Sequence, residues 1–199
     1  EIYRNIDKKM AVSLTCIDLS KAFDCIQIDI LINKIKALEL SNPFLNVIKS
    51  YLENRKQSVK IGSILSSFKF IKEGTPQGGI LSGEFFDLYI NRIFSLDLSG
   101  TLILYCDDIS LINTGSNAAE LKFNIEKDLK KISDWLDLHI LTPNISKTKY
   151  LCFHNKKQHE NFTEAALNLK FRGITLERVD SCRLLGLILD ESLSFNKHI

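Results

Sequence analysis

The stretch LILYCDDISLI, residues 102–112, sets Asp107 and Asp108 side by side between two apolar, β-prone runs. A turn accepts one Asp readily, because the carboxylate can bond its own backbone, but two adjacent carboxylates repel and need a further cause. A third carboxylate, Asp18, closes the apolar run MAVSLTCIDL at residues 10–19. Crowded carboxylates raise one another's pKa unless something positive lies between them, and a hard divalent cation that prefers oxygen is the natural occupant. Mg²⁺ in particular is held by one or two carboxylates together with substrate phosphates. Two such ions about 4 Å apart clamp the attacking and leaving oxygens of a phosphoryl transfer. Taken singly, each Asp is also what a polar turn or a strand end produces. The combination carries the chemistry only if the fold brings the three together.

The elements that must do so are legible in outline. Residues 10–19 form a nearly continuous apolar run, the profile of a central strand covered on both faces, with Asp18 at its edge. The runs flanking Asp107 and Asp108 predict a hairpin with residues 106–108 at its tip, where both side chains leave one end of the sheet and Asp18 can reach the same place. From Asp29 to Leu40, apolar Ile30, Leu31, Ile35 and Leu38 fall at helical spacing. Pro43 then opens a second helix, with Phe44, Val47, Ile48, Tyr51 and Leu52 expected inward. KQSVKIG and FKFIKEG alternate around a Gly/Ser connection and predict a half-exposed hairpin over 56–73. GTPQGG, residues 74–79, is a loop feeding a helix from Leu81 to Phe94, with Ser82 among its start signals.

After Asn117 a long amphipathic helix presents Ala118, Leu121, Ile125, Leu129, Ile132 and Leu136 on one face, and Pro143 ends any continuation. KYLCF, residues 149–153, reads as a strand, the polar stretch after it as an exposed loop, and RLLGLILD, 183–190, as a last strand or hairpin around Gly186. There is no internal repeat and no low-complexity tract. Strands interleaved irregularly with helices predict an α+β domain with a mostly antiparallel sheet.

Composition bounds the rest. The 199 residues are 45% hydrophobic and 25% charged, enough for a packed core rather than a disordered chain. No apolar stretch approaches the roughly 20 residues of a membrane helix, and EIYRNIDKKM lacks a signal-peptide layout, so the chain reads as intracellular, with nucleus and cytoplasm both open and no membrane partner. Cys16, Cys25, Cys106, Cys152 and Cys182 are scattered and odd in number, without disulfide or zinc spacing. A net charge of +2 does not announce nucleic acid by itself, although Lys8-Lys9, Arg55-Lys56, Lys130-Lys131 and Lys156-Lys157 could make local patches. A first residue other than Met, and a last segment that stops in mid-pattern, read as an excerpt of something longer.

CIDLSKAFDCI, GTPQGGIL, YCDD, NISKTKYLCF and LLGLILDESLSF resemble, in sequence and order, the successive motifs of reverse transcriptases from non-LTR retrotransposons, the LINE-like elements, most nearly of the jockey or CR1 kind. The resemblance spans almost the whole chain, and five motifs in order are far more specific than any one. It implies a polymerase palm with its antiparallel sheet packed on helices, partial fingers and little or no thumb. The whole of 1–199 is then one reverse transcriptase domain fragment, with 183–199 as the primer-grip region.

The implied activity is RNA-templated DNA synthesis by two-metal nucleotidyl transfer from a dNTP to a primer 3′-OH, with an RNA template and a DNA primer as partners. Asp18, Asp107 and Asp108 are the implied catalytic carboxylates, holding two Mg²⁺ ions for which Mn²⁺ can substitute, and Leu19 would add a backbone carbonyl. Phe23 matches the aromatic gate that excludes a 2′-OH. Gln77 and Gly78 would meet the templating pair and nucleotide, Tyr105 and Cys106 the primer end, and Lys147 the triphosphate. Leu185 and Gly186 match the primer grip, a backbone feature.

Two residues depart from the pattern: Cys106 stands where the family usually has Ala, and Glu84 where an apolar residue is common. Only 17 residues precede Asp18, so the fingers before it, the thumb and the endonuclease of the parent polyprotein are expected to lie outside this chain. The competing reading is a decayed or co-opted element fragment that folds or binds nucleic acid without polymerising. A group II intron or retron enzyme would share the Asp-Asp box, but DLSKAFD favours the LINE side.

Overall fold

The computed structural model describes residues 1–153 and 167–198. In chain order the first half comprises α1 (Ile2–Asp7), β1 (Ala11–Ser20), α2 (Ile28–Lys36), α3 (Asn42–Leu52), β2 (Lys56–Gln57), β3 (Lys60–Ile61), β4 (Ile64–Leu65), β5 (Lys69–Phe70) and α4 (Ser82–Ile90). The second half adds β6 (Thr101–Tyr105), β7 (Asp108–Gly115), α5 (Ala118–Leu138), β8 (Thr142–Phe153), β9 (Lys170–Phe171), β10 (Ile174–Thr175), β11 (Glu177–Arg178), β12 (Ser181–Leu184) and β13 (Leu187–Asp190). Single 3₁₀ turns cover Ala22–Cys25 and Asn91–Ser95. The fold is α+β, as the pattern of elements predicts.

Two compact units emerge. The first draws on Glu1–Ser20, Phe94–Asp137 and Thr142–Ile199, the second on Lys21–Ile93 and Leu138–Leu141.

The first unit is built on a five-stranded sheet in the order β11-β8-β1-β7-β6. All neighbours are antiparallel except β11, which runs parallel to β8. β1 sits in the middle, which explains its unbroken apolar character: a strand paired on both edges and covered on both faces has no solvent side to alternate toward. Val12 and Leu14 join Ile112, Leu151, Phe153, Leu189 and Leu193 in one cluster, against which Ile2 and Ile6 of α1 pack. Leu121, Ile125, Leu129, Ile132 and Leu136 of α5 are all buried, as the amphipathic spacing predicts. One buried charge interrupts that face. Asp128 accepts the backbone N–H groups of Ser99 (2.9 Å) and Gly100 (2.8 Å) and the Nδ2 of Asn113 on β7 (2.7 Å), pinning the chain that enters β6 to the helix. Buried polar groups persist only when bonded in this way.

The second unit packs α2 against α3 and α4. Ile28, Leu31, Ile32 and Ile35 from α2 and Phe85, Phe86, Tyr89 and Ile90 from α4 are buried, and each large side chain so removed from water contributes about 1.5–3 kcal/mol. Two sequence expectations fail here. α2 ends at Lys36 rather than Leu40, because the chain turns through Glu39 at φ 55°, leaving Leu38 and Leu40 exposed. On α3 only Ile48 and Leu52 are buried, whereas Phe44 and Val47 stand 51% and 64% exposed. Helical spacing identifies a stripe but not its partner, and α2 covers one edge of that stripe only. Tyr51, also expected inward, is exposed, with its ring 6.2 Å from that of Phe85. The predicted 56–73 hairpin forms as two short ladders, β2 with β5 and β3 with β4, and all four strands are exposed.

Candidate functional site

β6 and β7 pair down to Tyr105 and Asp108, leaving Cys106 and Asp107 as a two-residue turn. Cys106 takes φ 50°, a left-handed conformation that costs a residue with a side chain about 1–2 kcal/mol. A small side chain suits that position. Asp107 therefore stands in the turn and Asp108 at the first position of β7. On the other edge of β7, the ladder to β1 ends with Ile17 opposite Ile109. The next residue along each strand is Asp18 and Asp108, so both carboxylates leave the sheet at one end. Their proximity registers electrostatically: burial, then Asp107, then Asp18 push the Asp108 carboxyl above its ordinary pKa.

β8 approaches the same end irregularly. Its pairing with β1 passes from Lys149 opposite Cys16 to Asn144 opposite Asp18, so residues 145–148 bulge against a single residue of β1. The Thr148 hydroxyl donates to the Asn144 carbonyl at 2.9 Å and closes the bulge, while the Ser146 hydroxyl donates to Asn144 Oδ1 at 2.8 Å. Lys147 rides on this bulge with its side chain exposed. Bulges recur beside active sites because they re-aim a side chain that a regular strand would point elsewhere. Pro143, opposite Leu19, lies within β8 rather than before it; the strand begins at Thr142, earlier than the apolar run alone suggests.

The β12–β13 hairpin turns through Leu185 (φ 47°) and Gly186 (φ 88°), the two positive φ values of a tight hairpin. Its base packs on the central strand, since Cys182 and Cys16 of β1 both lie against the cluster around Val12 and Leu14.

In the second unit, Phe23 lies in the 3₁₀ turn after β1, its ring 4.9 Å from that of Phe86 on α4. The glycine-rich loop docks on that turn. Gly74 N–H donates to the Ile26 carbonyl (2.7 Å) and Thr75 N–H to the Phe23 carbonyl (3.1 Å). A Cβ on Gly74 would lie 2.8 Å from the Asp24 Cα, and its φ is +74°, so this position admits only glycine without displacement. Gln77 and Gly78 are exposed at the crest, where Gln77 Nε2 donates to Asp24 Oδ1 at 2.9 Å. Ser82 does not cap α4 with its side chain; its hydroxyl donates back to the Pro76 carbonyl at 2.5 Å and braces the loop. Glu84 lies exposed in the first turn of α4, where an acidic side chain suits the helix dipole.

Sequence reasoning missed two residues here. Asp24, the partner of Gln77, lies within the same DLSKAFD motif that supplies Asp18 and Phe23. In the sequence Arg55 is only half of a basic pair, yet its guanidinium donates to the carbonyls of Leu52 (2.9 Å), Glu73 (2.9 Å) and Gly74. Nothing local in the sequence signals a bond that spans the whole 56–73 hairpin.

The residues thus fall into two sets. Asp18, Leu19, Tyr105, Cys106, Asp107, Asp108, Lys147, Leu185 and Gly186 belong to the first unit, and Phe23, Gln77 and Gly78 to the second. Among the described residues no three His, Cys, Asp or Glu side chains close into a set that could hold a metal ion as they stand. The donor chemistry of the carboxylate end nevertheless suits a hard cation: it is all oxygen, and Asp107 and Asp18 add to the burial that raises the Asp108 pKa, a charge crowding that a cation would relieve. No described helix is long and apolar enough to cross a membrane.

The family profile described as "Reverse transcriptase (RNA-dependent DNA polymerase)" matches residues 3–189. Among curated proteins, the chain is 28% identical to the probable RNA-directed DNA polymerase from transposon BS of Drosophila melanogaster, over 100% of this chain and 22% of that protein. It is also 28% identical to the RNA-directed DNA polymerase from mobile element jockey of Drosophila funebris, over 98% of this chain and 21% of that protein. The chain thus spans only about a fifth of the length of these relatives, and the jockey-type resemblance read from the motifs is borne out. Among solved structures, a truncated apo telomerase from Candida tropicalis superposes with TM-score 0.63 at 18% identity, covering 98% of this chain and 37% of that one. A telomerase from Candida albicans, in complex with a fragment of telomeric RNA, does so with TM-score 0.62 at 16% identity, over 92% and 30%. At such identities the likeness concerns the fold.

Proposed function

Because this chain belongs to the reverse transcriptase (RNA-dependent DNA polymerase) family, we propose that it is the polymerising core of a mobile element's RNA-directed DNA polymerase, extending a DNA primer on an RNA template. The observation that carries this reading is the placement of Asp18 and Asp108 at one end of neighbouring strands, with Asp107 in the adjoining turn. The first unit serves as the palm, with 183–199 as its primer-grip region, and the second as part of the fingers.

The reaction is in-line attack of the primer 3′-OH on the α-phosphate of a dNTP, with pyrophosphate leaving. Asp18, Asp107 and Asp108, with the Leu19 carbonyl, would hold two Mg²⁺ ions, or Mn²⁺ in their place; when bound, such ions stabilise the charge developing on the attacking and leaving oxygens. Leu19 suits its part because its cross-strand neighbour, Pro143, has no N–H with which to compete for that carbonyl. Phe23, braced by Phe86, presents a rigid aromatic edge to the incoming sugar and leaves no room for a 2′-OH. Asp24 fixes the Gln77 amide, so the loop meets the templating base pair with a defined face. Gly78, at φ 74° with open space where a Cβ would stand, lets the backbone come close to the nucleotide. Tyr105, exposed at the end of β6, and Cys106 border the primer terminus. Lys147, raised by the bulge of β8, meets the triphosphate and can neutralise or protonate the departing pyrophosphate. Positioning and electrostatics account for nearly all the catalysis in such a transfer.

The test is extension of a DNA primer on an RNA template with dNTPs and Mg²⁺, by the full-length parent protein and by this chain side by side. Extension by the parent supports the reading, and the chain's own yield measures what the remainder of the parent contributes. A folded parent that binds template but extends nothing supports a decayed or co-opted element instead.

A further inference from the structure

Residues 55–72 contain Arg55, Lys56, Lys60, Lys69 and Lys72 and not one acidic residue, although the whole chain carries a net charge of only +2. The positive charge of this protein is thus concentrated on the β2–β5 arm. Arg55 is occupied in fastening the arm's root through the carbonyls of Leu52, Glu73 and Gly74. The four lysines meet no carboxylate among the described residues.

A solvated surface would account for lysines alone. It does not account for their company. Ile61 and Ile64 are each 75% exposed, and Phe68 and Phe70 each 65%, a density of exposed apolar side chains that marks an interaction surface rather than a free one. Lys56 Nζ lies over the Phe70 ring, 4.7 Å from its centroid, so cation and ring are presented together. At the arm's root, Gln57, Phe70 and Lys72 line a cavity of about 690 Å³ that also takes in Gln77 and Asp24. Uncompensated cations select a polyanion, exposed rings select flat bases free to stack, and the cavity leads the strand to Gln77. Duplex bases are already stacked and would leave the phenylalanines idle.

We propose that the 55–72 arm is a docking surface for single-stranded RNA, with the lysines on the phosphates and Phe68 and Phe70 beneath bases. The identity of the strand as RNA rests on the polymerase reading; the selection for a single strand rests on the arm's own chemistry.

The test is fluorescence anisotropy of a short fluorescein-labelled oligouridine titrated with the 199-residue chain across a salt series. Each lysine engaged on a single strand contributes about 0.7 to the slope of log affinity against log salt, so K60A/K69A flattens the slope by about 1.4. Phe68→Ala weakens binding about fivefold or more at unchanged slope, as expected when one stacked base is lost. These side chains are exposed, and an unchanged circular dichroism melt confirms that both variants fold. Three results would each overturn the proposal: no binding by the unaltered chain, full binding by both arm variants, or arm-dependent binding to phosphatidylserine vesicles without binding to RNA. Loss of primer extension with arm-dependent binding intact would count against the polymerase reading and leave the docking surface standing.

Discussion

Asp18 and Asp108 occupy the first positions beyond Ile17 and Ile109, the last pair joining β1 to β7, so two carboxylates distant in sequence leave the sheet side by side. The Asp108 carboxyl is correspondingly raised, by burial first and then by Asp107 and Asp18. A raised acid favours its protonated form in the folded protein, so its penalty on stability is absent in acid and grows as pH rises through the carboxylate range.

A cation relieves that penalty. Adding Mg²⁺ at neutral pH should therefore raise the melting temperature of the chain by RT ln(1 + [Mg²⁺]/Kd) expressed as stability, about 2.7 kcal/mol at a hundredfold excess over Kd. D108N should melt no lower than the unaltered chain without Mg²⁺ and gain less with it. Differential scanning calorimetry reads both. A Mg²⁺ response unchanged by D108N would separate the cation from this site.

Phe23 rests on Phe86 at 4.9 Å, and a gate held by a second ring is rigid. Replacing Phe23 with Val shortens the edge proposed to meet the sugar. Discrimination between a dNTP and the matching rNTP should fall by about ten- to two-hundredfold, the range over which pockets distinguish small differences in bulk. Single-nucleotide incorporation with each substrate measures it, and unchanged discrimination would move the gate elsewhere.

Lys147 is exposed on the β8 bulge, so its loss should cost the fold little, within about 0.5 kcal/mol. K147A should nonetheless slow incorporation by about a hundredfold if the lysine serves the leaving pyrophosphate as general acid. Single-turnover rates measured at several pH values show this. A rate unchanged across pH would return Lys147 to the solvent.

Asp190 anchors the chain after β13. Its carboxylate accepts the N–H groups of Ser192 (3.1 Å), Ser194 (3.0 Å) and Phe195 (2.8 Å) as well as both serine hydroxyls. Those bonds, the Ser194 N–H foremost, hold its pKa far below the ordinary carboxylate range. A depressed acid contributes stability above its unfolded pKa and loses it as pH falls through the folded one. Urea unfolding should show D190N weakened by about 1–3 kcal/mol at pH 7 and by progressively less below about pH 4.

The sequence was most legible where local rules agree with tertiary ones. The Cys106-Asp107 turn follows from two β-prone runs with no room for a longer loop, and α5 from an apolar stripe long enough to be unambiguous. The Leu185-Gly186 turn needs positive φ, and Gly supplies half of it. What escaped is what pairing alone decides. The bulge under Lys147 exists because Asn144 and Lys149 find partners two residues apart on β1, and no periodicity within β8 encodes that. The open stripe of α3 and the carbonyl bonds of Arg55 likewise depend on which neighbours the chain supplies. The polar loop expected after Phe153 falls on 154–166, outside the described residues.

The most direct measurement is single-turnover addition of one nucleotide to a primer on an RNA template, by the full-length parent and its D18N, D107N and D108N forms, with template binding measured in parallel. The expected result is incorporation by the parent and a loss of at least about a hundredfold in each Asn form at unchanged template affinity. Incorporation that survives in any of the three, with binding intact, would contradict the assignment of that carboxylate and with it the shared site at the end of β1 and β7.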